Sequence, residues 1–150
     1  MDDIDRIMAV MATAFDPRWG EAWNRKQIEG SLGMTNTHYR LIDETGGYPE
    51  EGRPAVGFAM VRAAPGEEEL LLIAVDPAAR RRGLGARLIA QLCEDARARD
   101  AERLFLEMRE NNPAKDLYLA CGFEPIGRRK DYYRTSDGIG IDAITFAKRL

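Results

Sequence analysis

A chain of 150 residues, 45% hydrophobic and 31% charged, has the make-up of one soluble globular domain spanning residues 1–150. At such a length folding buries roughly 70% of the extended chain's surface, so neither a metal nor a disulfide staple is required. The formal net charge of −3 excludes a global positive field that would draw the chain onto nucleic acid or an anionic membrane, and any anion site must be local. The longest apolar run, residues 70–75, is far too short to span a bilayer, and Met1-Asp2-Asp3 lacks the basic region of a secretory signal, so the expected location is the cytoplasm. Cys93 and Cys121 sit in apolar helical patterns and read as small buried hydrophobes; with the lone His38 they form no metal-ligand spacing, and neither a disulfide nor a metal is expected.

Ile4, Ile7, Met8, Met11 and Phe15 recur at spacings of three and four, which predicts an amphipathic first helix closed by Pro17 and Gly20. Trp23, Gln27, Ile28 and Leu32 predict a second helix over roughly residues 21–32, ended by Gly33. Trp19 and Trp23 read as core packing or a pocket wall. From His38 the period changes: Tyr39, Leu41 and Ile42 predict a strand, and residues 43–53, rich in Gly, Pro and acids, an exposed loop. Residues 54–63 and 68–75 predict two strands around the turn Ala64-Pro65-Gly66-Glu67. The second is apolar almost without alternation, as a central strand covered on both faces should be.

After Gly83 a helix carries Leu84, Leu88, Leu92 and Cys93 on one side, and a strand follows with Leu104, Leu106 and Met108 opposite Phe105 and Glu107. Asn112 as N-cap, Pro113 at the first position and Gly122 as stop predict a short helix over residues 113–121. Residues 123–129 and 139–147 predict two final strands joined through Thr135-Ser136-Asp137-Gly138. The order α-α-β-β-β-α-β-α-β-β implies an α/β (α+β) fold, a mixed, mostly antiparallel sheet flanked by helices.

The most informative stretch runs from the apolar strand through Arg80, Arg81, Arg82, Gly83, Leu84, Gly85 and Ala86 into a helix. Such a junction aims unpaired main-chain N–H groups and the positive end of a helix at one spot, while the glycines admit a ligand close to the backbone. Three arginines in an acidic protein add local positive charge, so a phosphate group is expected there. Leu88 occupies the third glycine position of a dinucleotide fingerprint and no G-K-[ST] follows, so a classical dinucleotide or an ATPase loop fits badly.

Arg80-x-x-Gly83-x-Gly85 after Ile73-Ala74-Val75-Asp76-Pro77 resembles the acetyl-coenzyme A pyrophosphate loop of the GNAT N-acetyltransferase superfamily. Leu106-Glu107-Met108-Arg109, Asn111-x-x-Ala114-x-x-Leu117-Tyr118-x-x-x-Gly122-Phe123, Arg128-Arg129-x-x-Tyr132-Tyr133 and Asp137-Gly138 are similar to the bacterial ribosomal-protein-alanine N-acetyltransferases. The match covers about residues 54–150. It departs in two ways. The family opens with a short strand where this chain starts almost inside its first helix, which predicts a sheet short of that edge. The segment from Glu107 to Tyr118 is about one residue shorter, so either Asn111 or Asn112 takes the family's asparagine position beside the cofactor.

The resemblance implies acetyl-coenzyme A as co-substrate and acetyl transfer to an amine. The implied acceptor is the N-terminal α-amine of a ribosomal protein or similar peptide, with no direct nucleic-acid or membrane partner. Glu107 is then the base; from the residues alone it is equally an outward carboxylate or a partner for Arg109. Tyr118, which the residues alone would place in the core, is implied as the acid that protonates the departing thiolate. Main-chain groups of Ile73, Ala74 and Val75 are implied to bond the pantetheine arm. A protein α-amine has a reference pKa of about 8 against about 10.4 for lysine, so the base need not be strong. A small-molecule amine or antibiotic acetyltransferase, and a non-catalytic acetyl-coenzyme A-binding module, remain open. Trp19, Trp23, the 43–53 loop and Tyr132-Tyr133 are candidate walls of a peptide groove, with Glu44, Glu50 and Glu51 as possible attractors of a cationic tail.

Overall fold

The computed structural model describes residues 2–135 and 137–150. Helix α1 spans Asp3–Ala14 and opens on a reciprocal cap: the Asp5 N–H donates to the Asp2 carboxylate at 2.8 Å, and the Asp2 N–H to Asp5 at 3.2 Å. A 3-10 turn over Pro17–Trp19 follows, and α2 spans Arg25–Leu32 rather than residues 21–32. Its start is set by Asn24 and Gln27, each of whose side chains accepts the other's main-chain N–H at 2.8 Å. Residues 21–23 therefore lie in the connection.

The strands are β1 (Thr37–Ile42), β2 (Gly57–Ala64), β3 (Glu67–Val75), β4 (Arg103–Arg109), β5 (Glu124–Arg134) and β6 (Gly140–Arg149), with helix α3 at Leu84–Ala98 and α4 at Lys115–Ala120. They form one sheet in the order β1-β2-β3-β4-β6-β5, antiparallel except for the β3–β4 pair that α3 connects. The expected order of elements is present, and β5 runs five residues further than residues 123–129. Ser136 of the expected final turn lies outside the described residues, as does Met1. Helix α4 starts two residues later than expected because Asn112 folds into a tight turn, its carboxamide oxygen accepting the Ala114 N–H at 2.9 Å.

Each face of the sheet carries its own core. Leu84, Leu88, Ile89 and Leu92 of α3 pack with Leu104, Leu106, Met108, Tyr118 and Phe123 on one face; Ile7, Val10 and Met11 of α1 pack with Ile28, Phe58, Met60 and Leu72 on the other. Strand β3 serves both. Met60 stands opposite Leu72 and Val61 opposite Leu70, so Leu71 is an extra residue that reverses the alternation. Leu70, Ile73 and Val75 consequently join the α3 side, and Leu72 and Ala74 the α1 side, as expected of a strand covered on both faces. No helix among the described residues is long and apolar enough to cross a membrane.

Helix α3 is fixed at its far end by Arg99, which donates through Nε and Nη2 to the two carboxylate oxygens of Glu68 at 2.8 and 2.7 Å. Glu68 is only 1% exposed, so its charge depends on that fork. Arg99→Ala strands a buried carboxylate and should lower the free energy of unfolding by about 3 kcal/mol. Urea denaturation checks this, and an unshifted midpoint would contradict it.

Candidate active site

Strands β3 and β4 share a ladder at three positions only, Glu67–Arg103, Glu68–Leu104 and Glu69–Phe105. Beyond them β3 stays with β2 as far as Val75, and β4 stays with β6 as far as Arg109. The facing edges of residues 70–75 and 106–109 therefore part, and a cleft of about 1020 Å³ runs through the gap. It is lined by those edges, by the loop from β3 into α3, by the start of α4 and by the connection from α1 to α2.

The loop leaves β3 through a 3-10 turn over Pro77–Ala79, capped by Asp76, whose carboxylate accepts the Ala78 N–H at 3.0 Å. Arg81 (φ +64°) and Gly83 (φ +75°) then take left-handed conformations. Arg87 is the first residue whose N–H bonds back, to the Gly83 carbonyl at 3.1 Å, and no side chain caps the N–H groups before it. A Cβ on Gly83 would meet no atom within 4 Å, so that glycine provides both the backbone angle and open space. Gly85 differs: a Cβ there would come 3.0 Å from Leu117 Cδ2, so its bareness makes room for α4 beside the cleft that its main chain lines.

Ile73, Ala74, Val75, Arg80, Arg81, Gly83, Leu84, Gly85, Ala86, Glu107, Asn111, Asn112 and Tyr118 all line the cleft, and Arg82 does not. Arg80 is already engaged, donating to the Val75 carbonyl at 3.1 Å and the Ala14 carbonyl at 2.8 Å, and so ties the end of α1 to the end of β3. Asn112 caps the turn before α4, and the Asn111 carboxamide oxygen accepts from Arg109 Nη1 at 2.9 Å.

Glu107 is half-buried on the α1 side of β4. The Thr145 hydroxyl donates to its Oε2 at 3.3 Å, and Arg129 Nε stands 3.4 Å from the same oxygen. Its ionic neighbour is thus Arg129 across the sheet and not Arg109. Tyr118 lies on the opposite, α3 side, 6% exposed. Helix α4 ends in a paired closure: the Phe123 N–H donates to the Tyr118 carbonyl at 3.0 Å and the Gly122 N–H to the Leu119 carbonyl at 3.1 Å, with Gly122 at φ +93°. This closure sets the Phe123 ring edge-on to Tyr118, centroids 5.7 Å apart. The gap between β3 and β4 brings the carboxylate of one face and the phenol of the other to a common space.

Trp19, Trp23 and Tyr133 also line the cleft, but Tyr132 and the whole 43–53 loop do not. That loop is bound elsewhere: Arg6 donates to the carbonyls of Arg53 and Glu50 at 2.9 and 2.6 Å, and Gln91 to that of Gly46 at 3.4 Å. Glu44, Glu50 and Glu51 are correspondingly absent from the lining. Sequence reasoning does not single out Glu21, which lines the cleft and pairs with Arg109 at 3.4 Å. The expected helix over residues 21–32 places it at a helix start; the Asn24 cap, which puts it in the connection instead, is legible in Asn24-x-x-Gln27.

The sequence model of the Acetyltransferase (GNAT) family matches residues 4–123. The ribosomal protein bS18-alanine N-acetyltransferase of Escherichia coli is 33% identical over 126 residues, 83% of this chain and 79% of that protein. The N-alpha-acetyltransferase RimI of Mycobacterium tuberculosis is 39% identical over 102 residues, 65% of this chain and 61% of that protein. The crystal structure of the ribosomal-protein-S18-alanine N-acetyltransferase from Escherichia coli superposes with a TM-score of 0.80 at 28% identity, covering 99% of this chain and 88% of that one.

Burial pushes the Tyr118 phenol well above its ordinary value, and the nearby charge of Glu21 adds to the shift. The folded protein therefore holds this proton where the unfolded chain releases it. Stability is unaffected below about pH 10 and falls as pH rises beyond that point. In urea denaturation from pH 8 to 11, the stability of wild type relative to Tyr118→Phe should be constant up to about pH 10 and then decline. A difference that stays flat through pH 11 would contradict the shift.

Proposed function

The chain belongs to the GNAT acetyltransferase family, and we propose that it transfers the acetyl group of acetyl-coenzyme A to the N-terminal α-amine of a ribosomal protein or similar peptide. The observation that carries this reading is the gap between β3 and β4, which joins an amide-lined loop to a carboxylate and a phenol. Two features fit the co-substrate. The uncapped N–H groups at the start of α3, with open space over Gly83, suit a diphosphate. The free edge of Ile73, Ala74 and Val75 suits the amides of a pantetheine arm, which would add to it as a strand does.

Acetyl-coenzyme A supplies an acetyl group already activated as a thioester. The chain's own residues then manage two protons. Glu107, fixed by the Thr145 hydroxyl, takes the proton that the amine sheds as its nitrogen bonds to the acetyl carbon. Tyr118 gives its proton to the sulfur as the carbon–sulfur bond breaks. A phenol held above its ordinary value is a weak acid toward a free thiolate of pKa about 8.5. Burial acts on both partners, however: a thiolate leaving inside the same dry space has its own proton affinity raised, and the phenol is fully protonated at neutral pH when it is needed. A main-chain N–H on the edge of β3 that β4 leaves unpaired would polarise the thioester carbonyl.

The α-amine assignment draws on the ribosomal-protein-alanine N-acetyltransferases to which the chain is similar. An α-amine of pKa about 8 also offers a useful neutral fraction at pH 7, which suits a lone carboxylate base. Mass spectrometry of an alanine-led peptide incubated with protein and acetyl-coenzyme A should place the acetyl group on the α-nitrogen. The same peptide blocked at its N-terminus but carrying a lysine should stay unmodified, and acetylation of the lysine, or only of small amines, would overturn the reading. Glu107→Gln should lower kcat by about a hundredfold with KM for acetyl-coenzyme A little changed; an unaltered kcat would remove Glu107 from the mechanism.

A further inference from the structure

Arg109 is 7% exposed, its Nε is buried with no hydrogen-bond partner, and it borders the cleft. A guanidinium withdrawn from water this far needs compensation. It finds some in the Asn111 carbonyl and carboxamide oxygens, which its Nη1 reaches at 3.0 and 2.9 Å, and in the Trp19 ring, whose centroid lies 4.1 Å from its central carbon. The remaining partner is Glu21, and at 3.4 Å that contact is far longer than the roughly 2.8 Å of a closed charge-assisted bond. Glu21 is held but not saturated, and it keeps acceptor capacity toward the cleft.

Its position decides what that capacity can serve. Alternation along β4 puts Glu107 and Arg109 on the same face, one two-residue step or about 7 Å apart. Glu21, hung on Arg109 from the α1–α2 connection, is therefore the second carboxylate beside the proposed base. The Tyr133 phenol, also in the lining, registers both: burial raises its pKa first, and the charges of Glu107 and Glu21 raise it further. Two carboxylates in one arm of a cleft make a site for a cation. Of the cations facing them, Arg109 is shared between Asn111 and Glu21, and Arg129, 62% exposed, divides its contacts between Glu107 and the Tyr132 ring.

We propose that Glu21 binds the acceptor's terminal ammonium, and that Arg109 is the positioning residue that holds Glu21 for it. The inference rests on the α-amine reading and deepens it. Recognition is divided between the two acids: Glu21 holds the amino group in the cleft, and Glu107 removes its proton.

The test compares binding of an alanine-led peptide and its N-acetylated counterpart to the full chain saturated with coenzyme A, measured by calorimetry, alongside turnover of the free peptide. Glu21→Gln, nearly isosteric and on a connection, should weaken the free-amine peptide about tenfold and leave the acetylated peptide and coenzyme A unchanged. Arg109→Lys keeps the charge but loses the planar fork that spans Asn111 and Glu21, and should reproduce part of the same selective loss. Equal weakening of both peptides by Glu21→Gln, or no weakening, overturns the inference while a wild type that acetylates the free peptide leaves the function standing. A wild type that neither binds nor acetylates the free-amine peptide overturns the function, and the inference with it.

Discussion

Two parallel strands that pair for three residues and then part create a problem most sheets avoid: main-chain N–H and C=O groups on β3 and β4 face each other without bonding. Left dry and unpaired, such groups are costly. The fold keeps them apart by what lies on either side. Leu117 of α4 packs against α3 where Gly85 has no side chain, while Arg80 ties the end of β3 to the end of α1. The extra residue at Leu71 lets β3 contribute side chains to both cores while its free edge stays open. Under the proposed function, the amides of a pantetheine arm would complement that edge.

The site's charges follow from the same opening. Because the gap passes through the sheet, a phenol embedded in the α3 core and carboxylates on the α1 face meet across it, in unlike surroundings. Tyr118 is dry and holds its proton; Glu107 is half-buried, hydrogen-bonded and beside an exposed arginine. The two side chains that the proposed function casts as acid and base thus border one cleft from unlike surroundings. Local strain accompanies the arrangement: the left-handed backbone at Arg81 costs about 1 kcal/mol, and it sits in the loop whose amides turn toward the cleft.

Much of this was legible in the residues. Period-three and period-two patterns located each helix and strand, since amphipathic faces leave a direct trace in sequence, and the glycine-bearing loop after an apolar strand pointed to residues that line the cleft. Misplacements arose where a short polar interaction overrides periodicity. The Asn24–Gln27 cap moved the start of α2 and concealed Glu21, and the Asn112 turn delayed α4. The parting of β3 and β4 leaves no sequence trace, because it depends on which strands lie beside them. For the same reason Glu107 could be read as a partner of Arg109, two residues away, when its neighbour comes from β5. Gly85 lines the cleft as the motif implied, and its missing side chain also makes room for Leu117 of α4, a packing role the motif does not reveal.

The most direct test of the account is diffraction from crystals grown with coenzyme A. It predicts the pantetheine amides within hydrogen-bonding distance of the main chain of Ile73, Ala74 and Val75, the diphosphate on the N–H groups between Arg81 and Ala86, and the sulfur between Tyr118 and Glu107. Coenzyme A bound outside the gap, with β3 and β4 closed on each other beyond Phe105, would contradict it.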